Sequence, residues 1–270
     1  MSTRHWRPQV QSWGQLLPRY CFRTGGWVWM STSPRIMPLP NACWQSVADP
    51  MQRIALYDLD RTVTRAPTFT PFLAHMAASG TGLRLLGLPL WVLAMLGYKS
   101  KLYGRKALKQ FGLRLLVGRV VKSSALQPRI GAFIAKQIDC NIQPGALAQI
   151  AADRAAGVRL VLVTAAPEIY AEALADALGF EAAIATRHQR DEAGNLLALI
   201  EGENNYGAHK VGRVKEWLAA EGIARSDCHL IAYTDHASDA PILNYADRGV
   251  LVGRYAKPQG DWACADWSAA

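Results

Sequence analysis

From Arg61 to Ile138 this 270-residue chain has no aspartate or glutamate, while thirteen lysines and arginines fall between Arg61 and Lys136. That absence excludes a charge-balanced surface for the region. A field of one sign points to an anionic partner, with a plain basic solvated face as the alternative. Cysteine is sparse too. Cys21, Cys43, Cys140, Cys228 and Cys264 are scattered and form no CxxC. This excludes a disulfide scaffold and a cysteine zinc site, and leads us to expect a reducing, cytoplasmic setting. No HxxxH, GxGxxG or GxxxxGK[ST] occurs, and His5, His75, His188 and His229 lack partners at ligand spacing. The apolar run Leu83–Tyr98 is broken by Arg84 and Pro89. It falls short of the ~20 residues that span a bilayer, which leaves an interfacial hairpin or a buried helix.

The first fifty residues differ from the rest. They hold Trp6, Trp13, Trp27, Trp29 and Trp44 among five arginines, without a period long enough to make an element. No continuous apolar stretch there resembles a secretion signal. We expect residues 1–50 to be a disordered or mis-started extension, with folding from Met51.

Beyond it, strands and helices alternate. RIALYDL (53–59), VRLVLVT (158–164), FEAAIAT (180–186), CHLIAYT (228–234) and RGVLVGR (248–254) read as strands. Helices are expected over 69–78, 144–156, 167–178 and 209–221, the first with Phe69, Phe72, Leu73 and Met76 on one face. Strands rich in apolar residues on both faces indicate a mostly parallel sheet covered by helices. Residues 187–199 read as a polar hairpin around Gly194-Asn195. From Lys99 to Lys122 the spacing suggests one basic amphipathic helix, with Leu102, Ala107, Leu108, Phe111 and Leu115 on one face and bases on the other. Either a membrane surface or a neighbouring helix would satisfy that face. No pattern places 256–270. The expected division is a core of 51–68 and 137–258, a basic apolar helical insertion over 69–136, and a tail from 259.

Four expected strand or helix ends carry chemistry to the edge where an open α/β sheet binds its ligand. Asp58 can attack phosphorus as a carboxylate nucleophile. Asp60 can protonate a leaving oxygen and later take a proton from water. Thr164 and Ala165 offer a hydroxyl and N–H groups to a phosphoryl oxygen, and Thr62, in the first turn, is expected at the substrate as well. Lys210 can hold nucleophile and phosphate together. Asp235 and Asp239 add oxygens for Mg²⁺, a hard cation that prefers them. Taken singly, each has a plainer reading: an acidic turn, a core strand ending in a hydroxyl, a solvent-facing lysine, a helix cap. Their order along the chain argues against all four plain readings at once.

That order, Asp-x-Asp-x-Thr, Thr, Lys, Asp-x-x-x-Asp, resembles the haloacid dehalogenase superfamily over about Arg53 to Pro258. The stretches TAAPEIYAEALADALGF and EGENNYGAHKVGRVKEWL resemble subfamily IB, the branch that includes phosphoserine phosphatases. The long apolar and basic insertion is similar to that of bacterial phosphatidylglycerophosphate phosphatases. The resemblance implies a Rossmann-like, mostly parallel sheet flanked by helices, with a helical cap inserted after the first strand. It also implies a Mg²⁺-dependent phosphatase with Asp58 as nucleophile and Asp60 as acid/base. Asp60 would bind the metal through its backbone carbonyl, Asp58 and Asp235 through carboxylates, and Asp239 would be a ligand or its neighbour. Arg61 stands where many members have glycine, and Thr234 and His236 where glycine or serine is frequent.

An amino-acid phosphate needs a cap acid for its ammonium, and this cap has none. An anionic substrate with an apolar body suits it better, its extra charge met by Arg105, Lys106 or Lys109. The expected function is therefore phosphomonoester hydrolysis, on a lipid-linked or hydrophobic phosphate at an anionic membrane surface. The alternatives are a phosphoserine-type metabolite phosphatase, or a non-catalytic protein binding membrane or nucleic acid on the same fold. Specific nucleic-acid recognition is not expected, because aromatic residues do not interleave with the bases.

Overall fold

β1 (Gln52–Tyr57) lies in the middle of a six-stranded parallel sheet because both of its faces are apolar. Ile54 and Leu56 pack into one core, and Ala55 and Tyr57 into the other. This computed structural model describes residues 51–253, 256 and 261–268, with Ser123 as backbone alone. The expectation for residues 1–50 lies outside the described residues.

After β1 the chain makes a wide turn over Leu59–Val63 and enters the insertion, α1 (Phe69–Ala78), α2 (Leu88–Lys99) and α3 (Arg105–Gly112). β2 (Val120–Val121) and α4 (Ser123–Cys140) lead back. The core continues as α5 (Pro144–Ala155), β3 (Arg159–Pro167), α6 (Glu168–Leu178) and β4 (Ala182–Thr186). A hairpin of β5 (His188–Arg190) and β6 (Leu196–Ile200) precedes α7 (Ala208–Ala220). β7 (Cys228–Thr234), α8 (Ala240–Tyr245), β8 (Arg248–Val252) and β9 (Ala263–Ala265) complete the described elements.

The parallel sheet runs β4-β3-β1-β7-β8-β9, and a second, antiparallel sheet runs β2-β6-β5. The expected fold is what the chain adopts: a mostly parallel sheet flanked by helices, with a helical insertion after β1. The expected hairpin is present, closed where the Asn195 amide N–H donates to Asp191 Oδ1 at 2.8 Å. β2 pairs with β6 and so stitches the insertion to it. Among the described residues no helix is long and apolar enough to cross a membrane.

Three details depart from the sequence reading. α4 is continuous across residue 136, where cap and core were divided; its Phe133 packs on Phe72 of α1 and Tyr170 of α6. The single amphipathic helix from Lys99 to Lys122 is instead broken. Lys101 takes φ 59° just past α2, and α3 starts only at Arg105. Gly118, at φ 137°, ends the helical turn that follows α3. Leu102 is therefore exposed rather than on an apolar helix face. Thirdly, the tail is structured. β9 extends the sheet in parallel register with β8, and Trp267 is buried against Tyr57 and Tyr233 at ring distances of 6.0 and 5.2 Å. Three strand residues are too few for a period to show.

Candidate active site

β1, β3 and β7 end side by side, and the residues that follow share one cavity of roughly 310 Å³. Asp58, Asp60, Arg61, Arg105, Thr164, Ala165, Lys210, Asp235 and Asp239 all line it. The Asp58 amide continues the ladder by donating to the Tyr233 carbonyl at 2.9 Å, which fixes its backbone at the sheet's edge. Lys210 comes from the first turn of α7. Gly207, immediately before that helix, takes φ 58° and ψ −125°, a conformation that a side chain would strain.

Lys210 joins the carboxylates. Its ammonium donates to Asp58 Oδ1 and Asp239 Oδ2, both at 2.6 Å. Thr62 Oγ1 reaches the other Asp58 oxygen at 3.4 Å, and Thr234 Oγ1 donates to Asp239 Oδ2 at 3.0 Å. Burial pushes Asp58 up to about 7 against the pull of Lys210, with Asp239 and Asp60 adding repulsion. Burial pulls Lys210 down, but Asp58 and Asp239 more than offset this and hold it above the ordinary lysine range. Asp235 is raised as well, by burial first.

Asp60 is aimed from outside the motif. Its Oδ1 accepts from the Thr68 amide at 2.8 Å and the Thr68 hydroxyl at 2.7 Å. The Thr68 hydroxyl in turn lies 2.8 Å from the Tyr170 hydroxyl, and both residues are fully buried. Thr164 sits within β3, three residues before its last, with its hydroxyl accepting from the Ala166 amide at 3.0 Å. Arg61 occupies φ 66°, the left-handed region that favours glycine, and its charge partly offsets the rise of Asp235.

Of the three cap bases expected at the site, only Arg105 lines the cavity, its guanidinium stacked 3.7 Å over the Tyr206 ring. Lys106 does not line it; its ammonium is turned to the Gly202 carbonyl and to Glu203, 3.2 Å away. The third expected base, Lys109, does not line it either, and it is its burial that the sequence hid. Helical spacing put it on a solvent face, yet it is buried, donating to the Ala165 carbonyl and to Asn204 Oδ1 at 2.6 Å. Burial pulls it down to about 7, with Asp60 opposing. Lys109 thus latches the cap onto the loop beside Thr164. Thr68 and Tyr170 were likewise missed, and nothing in their spacing marks them.

Among the described residues no three His, Cys, Asp or Glu side chains stand ready as a metal cluster, since Lys210 bridges Asp58 and Asp239. The donor set nevertheless fits a hard cation. Four carboxylates line the cavity, and Asp239 Oδ1 is buried without a hydrogen-bond partner. Burial is the first cause of the raised Asp58 and Asp235, and repulsion from Asp239 adds to both.

Residues 55–244 match the model of the haloacid dehalogenase-like hydrolases. The chain belongs to that family. This hydrolase is 28% identical over 196 residues to Protein CicA of Caulobacter vibrioides, covering 72% of this chain and 83% of that one. A solved protein of unknown function from Bordetella pertussis Tohama I shares the fold with a TM-score of 0.71 at 24% identity, over 80% of this chain and 99% of that one. A phosphoserine phosphatase, solved as a phospho-aspartyl intermediate analogue, aligns with a TM-score of 0.54 at 18% identity, over 81% and 95% of the two chains. At these identities the likenesses establish the fold of the hydrolase and no more.

Proposed function

We propose that this hydrolase is a Mg²⁺-dependent phosphomonoesterase working through an aspartyl-phosphate on Asp58. The observation that carries the reading is one carboxylate, Asp58, held by the buried Lys210 at 2.6 Å in a cavity that Asp60, Thr164 and Asp235 also line. Asp58 attacks phosphorus and the ester P–O bond breaks, while Asp60 gives its proton to the departing oxygen. Asp60 then takes a proton from water as that water attacks phosphorus, and the Asp58–phosphorus bond breaks to release phosphate. Thr68 holds one Asp60 oxygen through both steps and leaves the other for proton transfer. Lys210 and the Thr164 segment receive the charge of the transferring phosphoryl group. Mg²⁺, held by Asp58, Asp235 and the Asp60 backbone carbonyl, would supply charge neutralisation between carboxylates and phosphate. Asp239 chiefly positions Lys210.

The substrate class follows from what rims the cavity. All four lining acids belong to the catalytic end of the sheet, and the cap contributes Arg105. No cap carboxylate meets an ammonium there, so an amino-acid phosphate fits less well than an anionic phosphomonoester, including one attached to a lipid or other apolar body. Phosphate release from a panel of soluble and lipid phosphomonoesters, with Mg²⁺ and with chelator, tests this. Mg²⁺-dependent release that Asp58→Asn abolishes, in protein that melts as the wild type does, is the expected result. Turnover by Asp58→Asn would overturn the nucleophile.

A further inference from the structure

Among the described residues helix α2 is apolar on every side but covered on only one. Trp91 is buried, and Leu88, Met95 and Tyr98 pack inward beside it. The opposite face carries Leu90, Leu93 and Leu96, with Leu86 in the turn just before the helix, all exposed, Leu86 at 80% and Leu93 at 62%. From Leu85 to Gly97 the only polar atom of any side chain is the indole nitrogen of Trp91, which is buried. A helix apolar all round is normally covered all round, and a contiguous bare apolar face marks an interaction site.

Charge surrounds this face. Arg84 lies just before α2, and its guanidinium donates to the Arg114 carbonyl at 3.4 Å, which brings a second arginine to that end. Lys99 closes the helix and Lys101 follows it. Lys101 takes φ 59°, a strained choice for a lysine, and the turn it makes leaves Leu102 76% exposed next to the two lysines. No acid lies anywhere between Arg61 and Ile138 to offset these bases.

We propose that the outer face of α2 is a docking surface for a bilayer containing anionic lipid. The leucines enter the boundary between headgroups and acyl chains, and Arg84, Lys99 and Lys101 meet the anionic headgroups. A second copy is the poorer occupant, because a self-complementary contact would set the basic ends against each other. A protein partner usually presents hydrogen-bonding and aromatic groups at its contact. This face offers only branched aliphatic side chains, which suit the non-directional interior of a lipid layer. Docking also brings the bilayer near the cavity: Arg105, which lines it, donates to the Tyr98 hydroxyl of α2 at 3.3 Å.

The test uses the full chain and vesicles of phosphatidylcholine with or without phosphatidylglycerol. Partition is read by sedimentation, without turnover, so the proposal stands or falls apart from the hydrolase reading. Wild-type protein should sediment with the anionic vesicles and lose about tenfold in partition on raising salt to about 0.5 M. The triple variant Leu90→Gln, Leu93→Gln, Leu96→Gln should lose at least about tenfold while keeping its melting temperature and its rate on a soluble phosphomonoester. Failure of the wild type to partition would overturn the proposal. So would equal partition by the variant, which assigns binding to other parts of the chain such as residues 1–50. A wild-type dimer in sedimentation velocity that the variant abolishes would assign the face to a second copy and overturn it as well.

Discussion

Replacing Lys210 by methionine keeps the length of the side chain and removes its charge. In the native site this ammonium is 2% exposed and lies 2.6 Å from two carboxylates that are themselves 12% and 5% exposed. Breaking such a buried arrangement from one side costs about 3–5 kcal/mol, because the remaining charges face each other without compensation. Asp58 already titrates near 7 with Lys210 in place. Without the lysine it rises further and takes up a proton, so the loss at pH 7 sits near the lower figure, about 3 kcal/mol. For a domain of this size that is a fall in Tm of roughly 6–12 °C. The gap between variant and wild type should widen at pH 8, where the orphaned carboxylates ionise, and narrow at pH 5. Turnover should drop ~10²- to 10³-fold, the scale of losing a pre-organised charge donor. Thermal unfolding in chelator at three pH values, with phosphate release at saturating Mg²⁺, reads both effects. A gap in Tm that does not change with pH, or a rate within about fivefold of wild type, would refute the role given to Lys210.

Metal should compete with protons at the same carboxylates. A carboxyl raised above its unfolded value costs stability as pH climbs from about 4 through 7, and Asp58 is in that position. Mg²⁺ should therefore raise Tm more at pH 8 than at pH 5, and equal gains at both would argue against carboxylate ligation. His188, pulled down to about 4 by burial first and then by Lys109 and Arg190, behaves in the opposite sense. The folded protein binds its proton more weakly than the unfolded chain does. Its contribution is thus full above about 6.5 and is lost as pH falls toward 4, on the order of 3 kcal/mol. His188→Leu should flatten that acid limb in pH-dependent denaturant unfolding, and an unchanged limb would contradict the assignment. Lys109→Met leaves the Ala165 carbonyl and Asn204 Oδ1 to share the single Thr186 hydroxyl, at a cost of about 1 kcal/mol. It should also raise KM more than it lowers kcat, and wild-type values for both Tm and KM would show that the latch does not act on the phosphate loop.

What the sequence made legible, and what it hid, divides along a physical line. β1, β3 and β7 are buried on both faces, so their apolar runs stand out from the polar turns around them. The residues that must project from a strand end are then fixed to within one position. That is why Asp58 and Asp235, one residue past β1 and β7, could be picked out as cavity-lining candidates from their order along the chain, while β3 runs three residues beyond Thr164. Lys210 needed the added context of a helix start. Lys109 is legible as a cap base but not as a buried one. Helical periodicity assigns a lysine to the solvent side, because a buried ammonium demands acceptors, and its acceptors here are 56 and 95 residues away. One of them is a backbone carbonyl. Every residue carries a carbonyl, so the choice of Ala165 leaves no mark on composition or spacing. Thr68 and Tyr170 are hidden for the same kind of reason: their contact spans 102 residues and joins two ordinary hydroxyls. The groups proposed to react must be particular residue types near strand ends and are readable. The groups that aim and latch them need only reach, and reach is a property of the folded chain.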